Sequence, residues 1–377
     1  MITDLQTYLA KEIENIMKDS LKATFDNPRE TAFLVKFAAA SAKAARKRDS
    51  YEKAGEHIPP FLIASITRDC NLHCAGCYAH ANNCGSTGCG ESAAPDEDHA
   101  AGPAAVPKAP MSTEDWDRVF RESADLGVSF IFLVGGEPML CRDVIEKAGA
   151  HRSILFPIIT NGIFMDDDYL NLYDRSRNLL PVISIEGGET STDGRRGAGI
   201  YQILLQVMDK LKSKSIPFGV SITATTENLE EITDTEFLRL LRDSGCKMVL
   251  YVDYVATGED DKQLEPDDEH RDKMDVRLDQ LRQEFDRMVF LAFPGDEKEF
   301  GGCLAAGRGF FHISAEGDAE PCPFAPFSDI NVRETSVREA IRSRLFARLE
   351  ERDMLQEDHN GGCALAGKGA QVRELLK

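Results

Sequence analysis

Short β-rich runs alternate with amphipathic segments between residues 61 and 255, and this alternation limits the fold to the α/β class. The runs are rich in valine, isoleucine, phenylalanine and threonine, which favour strands. They are FLIASIT (61–67), SFIFLV (129–134), FPIIT (156–160), PVISIE (181–186), FGVSITAT (218–225) and KMVLYVDYV (247–255). Six βα units predict a parallel sheet and a partial (β/α)6 barrel of the TIM type, with its functional site at the carboxyl ends of the strands.

The regions between and around the strands predict helices and two flanking units. Helices are expected to start near Ser112, Arg142, Asp166, Gly199, Glu230 and Asp267. Ser112 and Asp115 form a typical capping pair for the first of them. We therefore predict an N-terminal helical segment over 1–57, a barrel over 58–293, and a small α+β unit over 294–377.

An insert rich in glycine, alanine, proline and acidic residues spans residues 82–110. Because it contains almost no large apolar side chains, it is predicted to be a mobile loop within the barrel. Cys84 and Cys89 lie in this insert with C-x4-C spacing. We interpret this pair as incidental, with mutual oxidation or adventitious metal binding as alternatives.

Charge and hydropathy exclude several classes of partner. The formal net charge is -20, which opposes binding to nucleic acid. No run of about 18 apolar residues suggests a transmembrane segment, and the N-terminus lacks a secretory signal, so the expected location is the cytoplasm. The apolar face of the N-terminal segment favours docking on the barrel, but a basic run leaves peripheral membrane contact open. The residues of that run are Lys43, Arg46, Lys47 and Arg48.

The chain has 10 cysteines, and in a reducing compartment thiols tend to serve metals or redox chemistry. Cys70, Cys74 and Cys77 form a C-x3-C-x2-C motif directly after the first predicted strand. Three thiolates on one short loop can hold three irons of a four-iron cluster and leave the fourth iron open. The alternatives are a zinc site, which His73 and His80 keep open, or three unrelated thiols.

This motif after a first barrel strand resembles the radical S-adenosylmethionine (radical SAM) superfamily. The resemblance implies a 4Fe–4S cluster whose open iron chelates the methionine part of S-adenosylmethionine, and whose electron breaks the S–C5′ bond to give a 5′-deoxyadenosyl radical. It also implies a reductant such as flavodoxin or ferredoxin. The family often has an aromatic residue just before the third cysteine. Here that position is Gly76, and Tyr78, after the cysteine, is a candidate cofactor contact.

Polar residues at the predicted strand ends extend the resemblance. Gly135, Gly136, Glu137 and Pro138 resemble the family's GGEP motif, which receives the methionine ammonium. By resemblance Ser184 is a candidate for the ribose or methionine end, and Arg196 for the carboxylate, with Arg195 as its competitor. Further candidates at strand ends are Asn161, Glu186 and Thr223, and Tyr251 and Val252 for the adenine border. Taken singly, each is also explained as a turn, cap or packing residue.

A second cysteine group follows the barrel. Cys303 and Cys322 enclose FFHIS and a Glu-Gly-Asp turn in a C-x13-G-x4-C pattern that predicts a hairpin, and Cys363 comes later. The pattern resembles the twitch and SPASM extensions of radical SAM enzymes, but lacks the further cysteines of a full SPASM extension. The resemblance implies one auxiliary 4Fe–4S cluster, with His359, Asp329, a water or the substrate as fourth ligand. The alternative is three buried thiols.

The favoured function is a radical SAM enzyme that abstracts a hydrogen atom from a peptide or protein side chain. The same chemistry on a small metabolite or a lipid is the first alternative. The others are a non-catalytic iron–sulfur electron carrier or scaffold and a zinc-bound regulatory protein. Cys141 and Cys246 are interpreted as packing residues, although a hydrogen-atom donor thiol is an alternative for both.

Overall fold

Parallel strands form the main sheet of the protein. The computed structural model describes residues 5–23, 27–87, 108–293, 301–356 and 362–377. Its strands are β1 (Phe61–Thr67), β2 (Phe130–Gly135), β3 (Phe156–Thr160), β4 (Leu179–Ser184), β5 (Phe218–Ala224), β6 (Cys246–Asp253), β7 (Val289–Phe293), β8 (His312–Ile313) and β9 (Ala319–Glu320). The order across the sheet is β7-β6-β5-β4-β3-β2-β1-β8-β9. All neighbours pair in parallel except β8 and β9.

Helices connect these strands and flank the sheet. They are α1 (Leu5–Ala23), α2 (Pro28–Lys53), α3 (Tyr78–Thr87), α4 (Thr113–Leu126), α5 (Arg142–Ala150), α6 (Asp167–Arg175), α7 (Glu189–Arg196), α8 (Ile200–Ser213), α9 (Leu229–Ile232), α10 (Thr235–Asp243), α11 (Asp268–Glu284), α12 (Val337–Ile341), α13 (Arg344–Glu351) and α14 (Gly369–Leu375). Short 3₁₀ helices cover Pro138–Leu140 and Glu259–Leu264. None of the helices in the described ranges is long and apolar enough to cross a membrane.

The predicted α/β class and parallel sheet are confirmed. Each of the six predicted strands is present with ends shifted by two residues or fewer. The Ser112–Asp115 capping box forms at the start of α4. The elements that were not predicted include β7, which extends the parallel sheet, and α7, a polar helix after β4. The predicted loop also differs at its start, because 82–87 continue α3; residues 88–107, with Cys89, lie outside the described ranges.

The N-terminal helices lie against the barrel. Asn27 caps α2 by accepting from Arg29 N and Glu30 N, and the Phe37 ring packs edge to face on Phe130 at 5.6 Å. Arg48 is buried and donates to the carbonyl oxygen of Gly127 and to Ser129 Oγ. One member of the predicted basic run therefore fastens α2 to the start of β2.

The C-terminal unit joins the barrel sheet through β8. Ile63 N donates to Phe311 O at 3.1 Å, and Ile63 pairs with His312. The predicted hairpin is confirmed: β8 and β9 are antiparallel around Gly317, whose φ of 89° is the left-handed conformation that glycine adopts readily. The second cysteine group is thereby held next to the first strand of the barrel.

Candidate active site

The loop between β1 and α3, residues 68–77, carries the first three cysteines and is here called the cluster loop. Cys70 is exposed, and Cys74 and Cys77 are half-buried. Leu72 N donates to Cys70 Sγ at 3.4 Å. The loop is fastened to α7, because Ala75 N donates to Arg195 O at 2.9 Å and Arg195 Nε donates to Ala75 O at 3.0 Å. All three thiols line one large cavity.

The electrostatics of the cluster loop depend on Arg196. Burial raises the pKa of the Cys70 and Cys74 thiols, and the Arg196 guanidinium opposes this rise at Cys74. Arg196 Nη1 lies 4.0 Å from Cys74 Sγ. Because only a thiolate ligates a metal, a neighbouring cation favours the ligating form of Cys74.

The GGEP segment brings the end of β2 against the cluster loop. A Cβ atom on Gly135 would lie 2.2 Å from Thr67 O, and one on Gly136 would lie 2.1 Å from Asp69 O. Gly136 N and Glu137 N donate to the same two carbonyl oxygens at 2.8 Å. The two glycines are therefore required for this close backbone approach.

The Glu137 carboxylate accepts hydrogen bonds from groups of the protein itself. Its side chain accepts from Met139 N at 2.9 Å, from Thr160 Oγ1 at 2.6 Å and from Asn161 N at 2.8 Å. Burial raises the pKa of this carboxyl, and these three donors oppose the rise. Glu137 thus joins the ends of β2 and β3. Pro138 begins the 3₁₀ helix that follows and is buried.

Glu186 holds both candidate arginines at the end of β4. Its carboxylate accepts from Arg196 Nη2 and from Thr223 N, the latter at 3.1 Å. Arg195 Nη1 lies 3.1 Å from Glu186 Oε2 but without hydrogen-bond geometry. Within the described part of the chain, Arg195 Nη1 and Arg196 Nε are buried and have no hydrogen-bond partner. Unmade bonds of buried donors are costly, so these two groups fit an anionic ligand such as a carboxylate.

The cavity has a volume of about 660 Å³, which falls in the usual range for small-molecule sites. It runs along the barrel from α1, where Ile13 and Ile16 line it, to the cluster loop. Of the predicted site residues it is lined by Cys70, Cys74, Cys77, Tyr78, Gly135, Gly136, Glu137, Asn161, Ser184, Arg196 and Thr223. Pro138 and Glu186 do not line the cavity, but Glu186 binds Arg196 and Thr223, which do.

The lining residues that were not singled out from the sequence include Asp253, Tyr254 and Phe324. Tyr254 lies against Gly76, and Phe324 lies against Tyr78. The alternation of side chains along β6 could have identified Tyr254, because residues two apart point to the same face and Val252 also lines the cavity. Tyr251, between them in the alternation, is buried and donates to Ile232 O at 2.9 Å.

The second cysteine group also comes together. Cys303, Cys322 and Cys363 line one small pocket beside the main cavity, and Asp253 lines both. The free space is about 20 Å³, so a cluster there requires the side chains to move outward. Asp329, a predicted fourth ligand, instead accepts from Ser343 Oγ at 2.6 Å and Leu345 N at 3.0 Å at the start of α13. His359 lies outside the described residues.

Cys141 and Cys246 contribute to packing. Cys246 is buried and its thiol donates to Met248 O at 3.1 Å; Cys141 is half-buried, with Sγ 3.8 Å from Ile66 O. Across the described ranges, no group of three histidine, cysteine, aspartate or glutamate side chains has the geometry to hold a metal ion.

Comparison with known proteins identifies a family domain within the chain. Residues 64–239 match the model of the Radical SAM superfamily. The AdoMet-dependent heme synthase of Methanosarcina barkeri is 25% identical over 333 residues, which cover 81% of this chain and 88% of that protein. The sporulation killing factor maturation protein SkfB of Bacillus subtilis is 24% identical over 274 residues, covering 71% of this chain and 60% of that protein.

A solved structure agrees on the fold. The crystal structure of Streptococcus suis SuiB bound to its precursor peptide SuiA has a TM-score of 0.58 and 16% identity, covering 79% of this chain and 68% of that chain. The segment matched by the family model, residues 64–239, contains the cluster loop and the GGEP segment and ends beyond β5. The chain therefore contains a radical SAM domain over residues 64–239, and is an enzyme that uses a 4Fe–4S cluster and S-adenosylmethionine for radical chemistry.

Proposed function

We propose that this enzyme abstracts a hydrogen atom from a peptide or protein side chain bound at the mouth of the main cavity. The observation that carries the radical chemistry is the convergence of the three cluster-loop thiols and Arg196, with its unpartnered Nε, on one cavity. The peptide class is supported by SuiB, whose structure holds a precursor peptide, and by SkfB, which is named as a maturation protein.

Different residues bind the cluster, the carboxylate and the ammonium of S-adenosylmethionine. Cys70, Cys74 and Cys77 would hold the cluster, which would supply the one electron that cleaves S-adenosylmethionine to methionine and the 5′-deoxyadenosyl radical. Arg196 binds the ligand carboxylate through its unpartnered Nε. Since the Glu137 carboxylate already accepts from three donors, the backbone of the GGEP segment is left to receive the ammonium.

Polar side chains along the neighbouring strand ends orient the rest of the ligand. Ser184 is the last residue of β4, Thr223 is the next-to-last residue of β5, and both line the cavity. Hydroxyl groups both donate and accept, which suits the ribose of S-adenosylmethionine. The apolar half of the cavity, with Ile63 and Phe132, excludes water from this ligand.

We further propose that Cys303, Cys322 and Cys363 hold an auxiliary 4Fe–4S cluster. These thiols share one pocket, and Asp253 and Phe324 separate it from the main cavity. A cluster in this pocket, beside the main cavity, would accept the electron that is released when a substrate radical is oxidised. An external reductant of the flavodoxin or ferredoxin type would supply electrons to the first cluster. It could approach at Cys70, which is exposed.

A second candidate is a tetrapyrrole-type small molecule. The heme synthase relative matches 81% of this chain and 88% of its own length. The apolar interior of the cavity would suit part of a flat, largely apolar substrate. This candidate uses the same radical and differs only in the molecule that loses the hydrogen atom.

The experiment is a turnover assay with the anaerobically reconstituted full chain, dithionite and S-adenosylmethionine. Wild-type protein is expected to form 5′-deoxyadenosine, and the Cys74→Ala variant is not, whereas Cys246→Ala should behave as wild type. Adding peptides encoded beside the gene, or iron porphyrins, then identifies the substrate as the one that stimulates 5′-deoxyadenosine formation and itself changes mass. Absence of 5′-deoxyadenosine from protein with its full iron content would overturn the proposal.

A further inference from the structure

Gly76, just before the third cysteine of the cluster loop, occupies a position that cannot accept a side chain. Its φ is 62°, and an added Cβ would lie 2.1 Å from Tyr254 Oη and 2.7 Å from Cε2 and Cζ of the same ring. The family often has an aromatic residue at this position. In this chain an aromatic ring fills the adjoining space, but it comes from the residue that follows β6.

The Tyr254 ring is fixed in this position by contacts on several sides. Tyr254 N donates to Ala224 O at 2.9 Å, and Tyr254 Oη donates to Asp261 Oδ2 at 2.5 Å. Asp261 is itself held, because it accepts from Thr257 N, Thr257 Oγ1 and Gly258 N at 2.8 to 3.1 Å. The Arg195 guanidinium lies 5.7 Å from the ring centroid. The ring is thus oriented before any ligand arrives.

The Tyr254 side chain also borders the main cavity. Tyr254 is 3% exposed, yet it lines the main cavity together with Gly76, Val252 and Arg195. The groups that fit the methionine carboxylate and ammonium lie on other elements, at α7 and the end of β2. An aromatic ring beside the cluster loop is suited to a flat base rather than to the amino-acid end of the ligand.

We propose that Tyr254 supplies the aromatic surface against which the adenine of S-adenosylmethionine packs, in place of a side chain at position 76. This assignment rests on the proposed function, since it needs S-adenosylmethionine in the main cavity. Tyr254 binds the ligand through its ring, while its hydroxyl serves only to orient the ring through Asp261.

The test is equilibrium binding to the anaerobically reconstituted full chain, read by dialysis with labelled ligand and by the change in the cluster's EPR signal. Two ligands are compared, S-adenosylmethionine and methionine, because only the first carries adenine. The variants are Tyr254→Leu, which removes the ring, and Tyr254→Phe, which keeps it. Iron and sulfide content and circular dichroism show whether each variant is folded and loaded.

Tyr254→Leu is expected to weaken S-adenosylmethionine binding about tenfold, the lower part of the range for loss of one base–aromatic stack, and to leave methionine binding unchanged. Tyr254→Phe is expected to bind within about threefold of wild type. The inference alone is overturned if Tyr254→Leu binds S-adenosylmethionine like wild type, or loses both ligands equally. Wild-type protein that binds no S-adenosylmethionine would instead overturn the proposed function and this inference with it.

Discussion

The rings of Tyr78 and Phe324 meet edge to face with their centroids 5.0 Å apart. Tyr78 directly follows Cys77, and Phe324 comes two residues after Cys322, so the contact joins the two cysteine groups. Asn82 Nδ2 donates to Pro323 O at 3.0 Å beside it. Both rings line the main cavity, and together they close its edge between the cluster loop and the C-terminal unit.

Replacing Phe324 by alanine should open this edge. We expect the folded protein to lose roughly 1–3 kcal/mol of stability, since the ring is half-buried, and the first cluster to decay several-fold faster in air. The measurement is loss of the cluster's visible absorbance after exposure to oxygen. Phe327→Ala is the matched control, because Phe327 packs on the core of the same unit without lining the cavity. Equal decay in both variants would contradict the role of the Tyr78–Phe324 contact.

Arg196 and Arg195 should differ in their effect on ligand binding. Arg196 has one nitrogen on Glu186, one near Cys74 and one without a partner, whereas Arg195 Nε is used on Ala75 O. Because a hydrogen bond to a charged group contributes about 1.5–3 kcal/mol, Arg196→Met should weaken S-adenosylmethionine binding about 10- to 100-fold. Arg195→Met should weaken it less. Binding measured by dialysis checks this, and a larger loss in Arg195→Met would reverse the assignment.

Cys246 should be inert while the protein is folded. Burial raises the pKa of its thiol from about 9 to about 12. A native-state pKa above the unfolded value means that this thiol contributes stability below about pH 9, which is lost as the pH rises towards 12. Mass spectrometry after iodoacetamide treatment of the apo protein at pH 8 should find Cys70 labelled and Cys246 unlabelled until denaturant is added. Rapid native labelling of Cys246 would show that its environment is open.

The strands were predictable because their β-branched runs are buried in a parallel sheet, where local preference and packing agree. The end of β4 was placed two residues late, since PVISIE continues the apolar pattern past Ser184. α7 was missed because ETSTDGRR is polar and contains Gly194, so it has no apolar period; its tertiary bonds to the cluster loop hold it instead. β7 was missed because one short apolar run fits strand and helix alike.

The candidate site was predictable where its residues lie close together in the sequence, as in the cysteine motif and GGEP. It was less predictable where distant segments meet. No local pattern shows that Tyr254 fills the space at Gly76, or that Asp253 lies beside Cys363, since both contacts depend on how the end of β6 packs against remote loops. Glu186, a predicted ligand contact, forms ion pairs with Arg195 and Arg196 that the sequence did not indicate.

Asp253 should matter for the second cysteine group more than for the first. Its carboxylate accepts from Arg271 Nε at 2.9 Å and from the backbone of Gly362, the residue before Cys363. Asp253→Asn weakens both bonds and leaves the mostly buried Arg271 cation without its closest anion, which should displace Cys363. We expect iron to fall from about eight to about four atoms per chain, with 5′-deoxyadenosine formation in the absence of substrate retained. Asp268→Asn is the control, since Asp268 is exposed and lies 3.7 Å from Arg271 Nη1. Full iron content in Asp253→Asn, or equal loss in both variants, would show that Asp253 does not organise the second site.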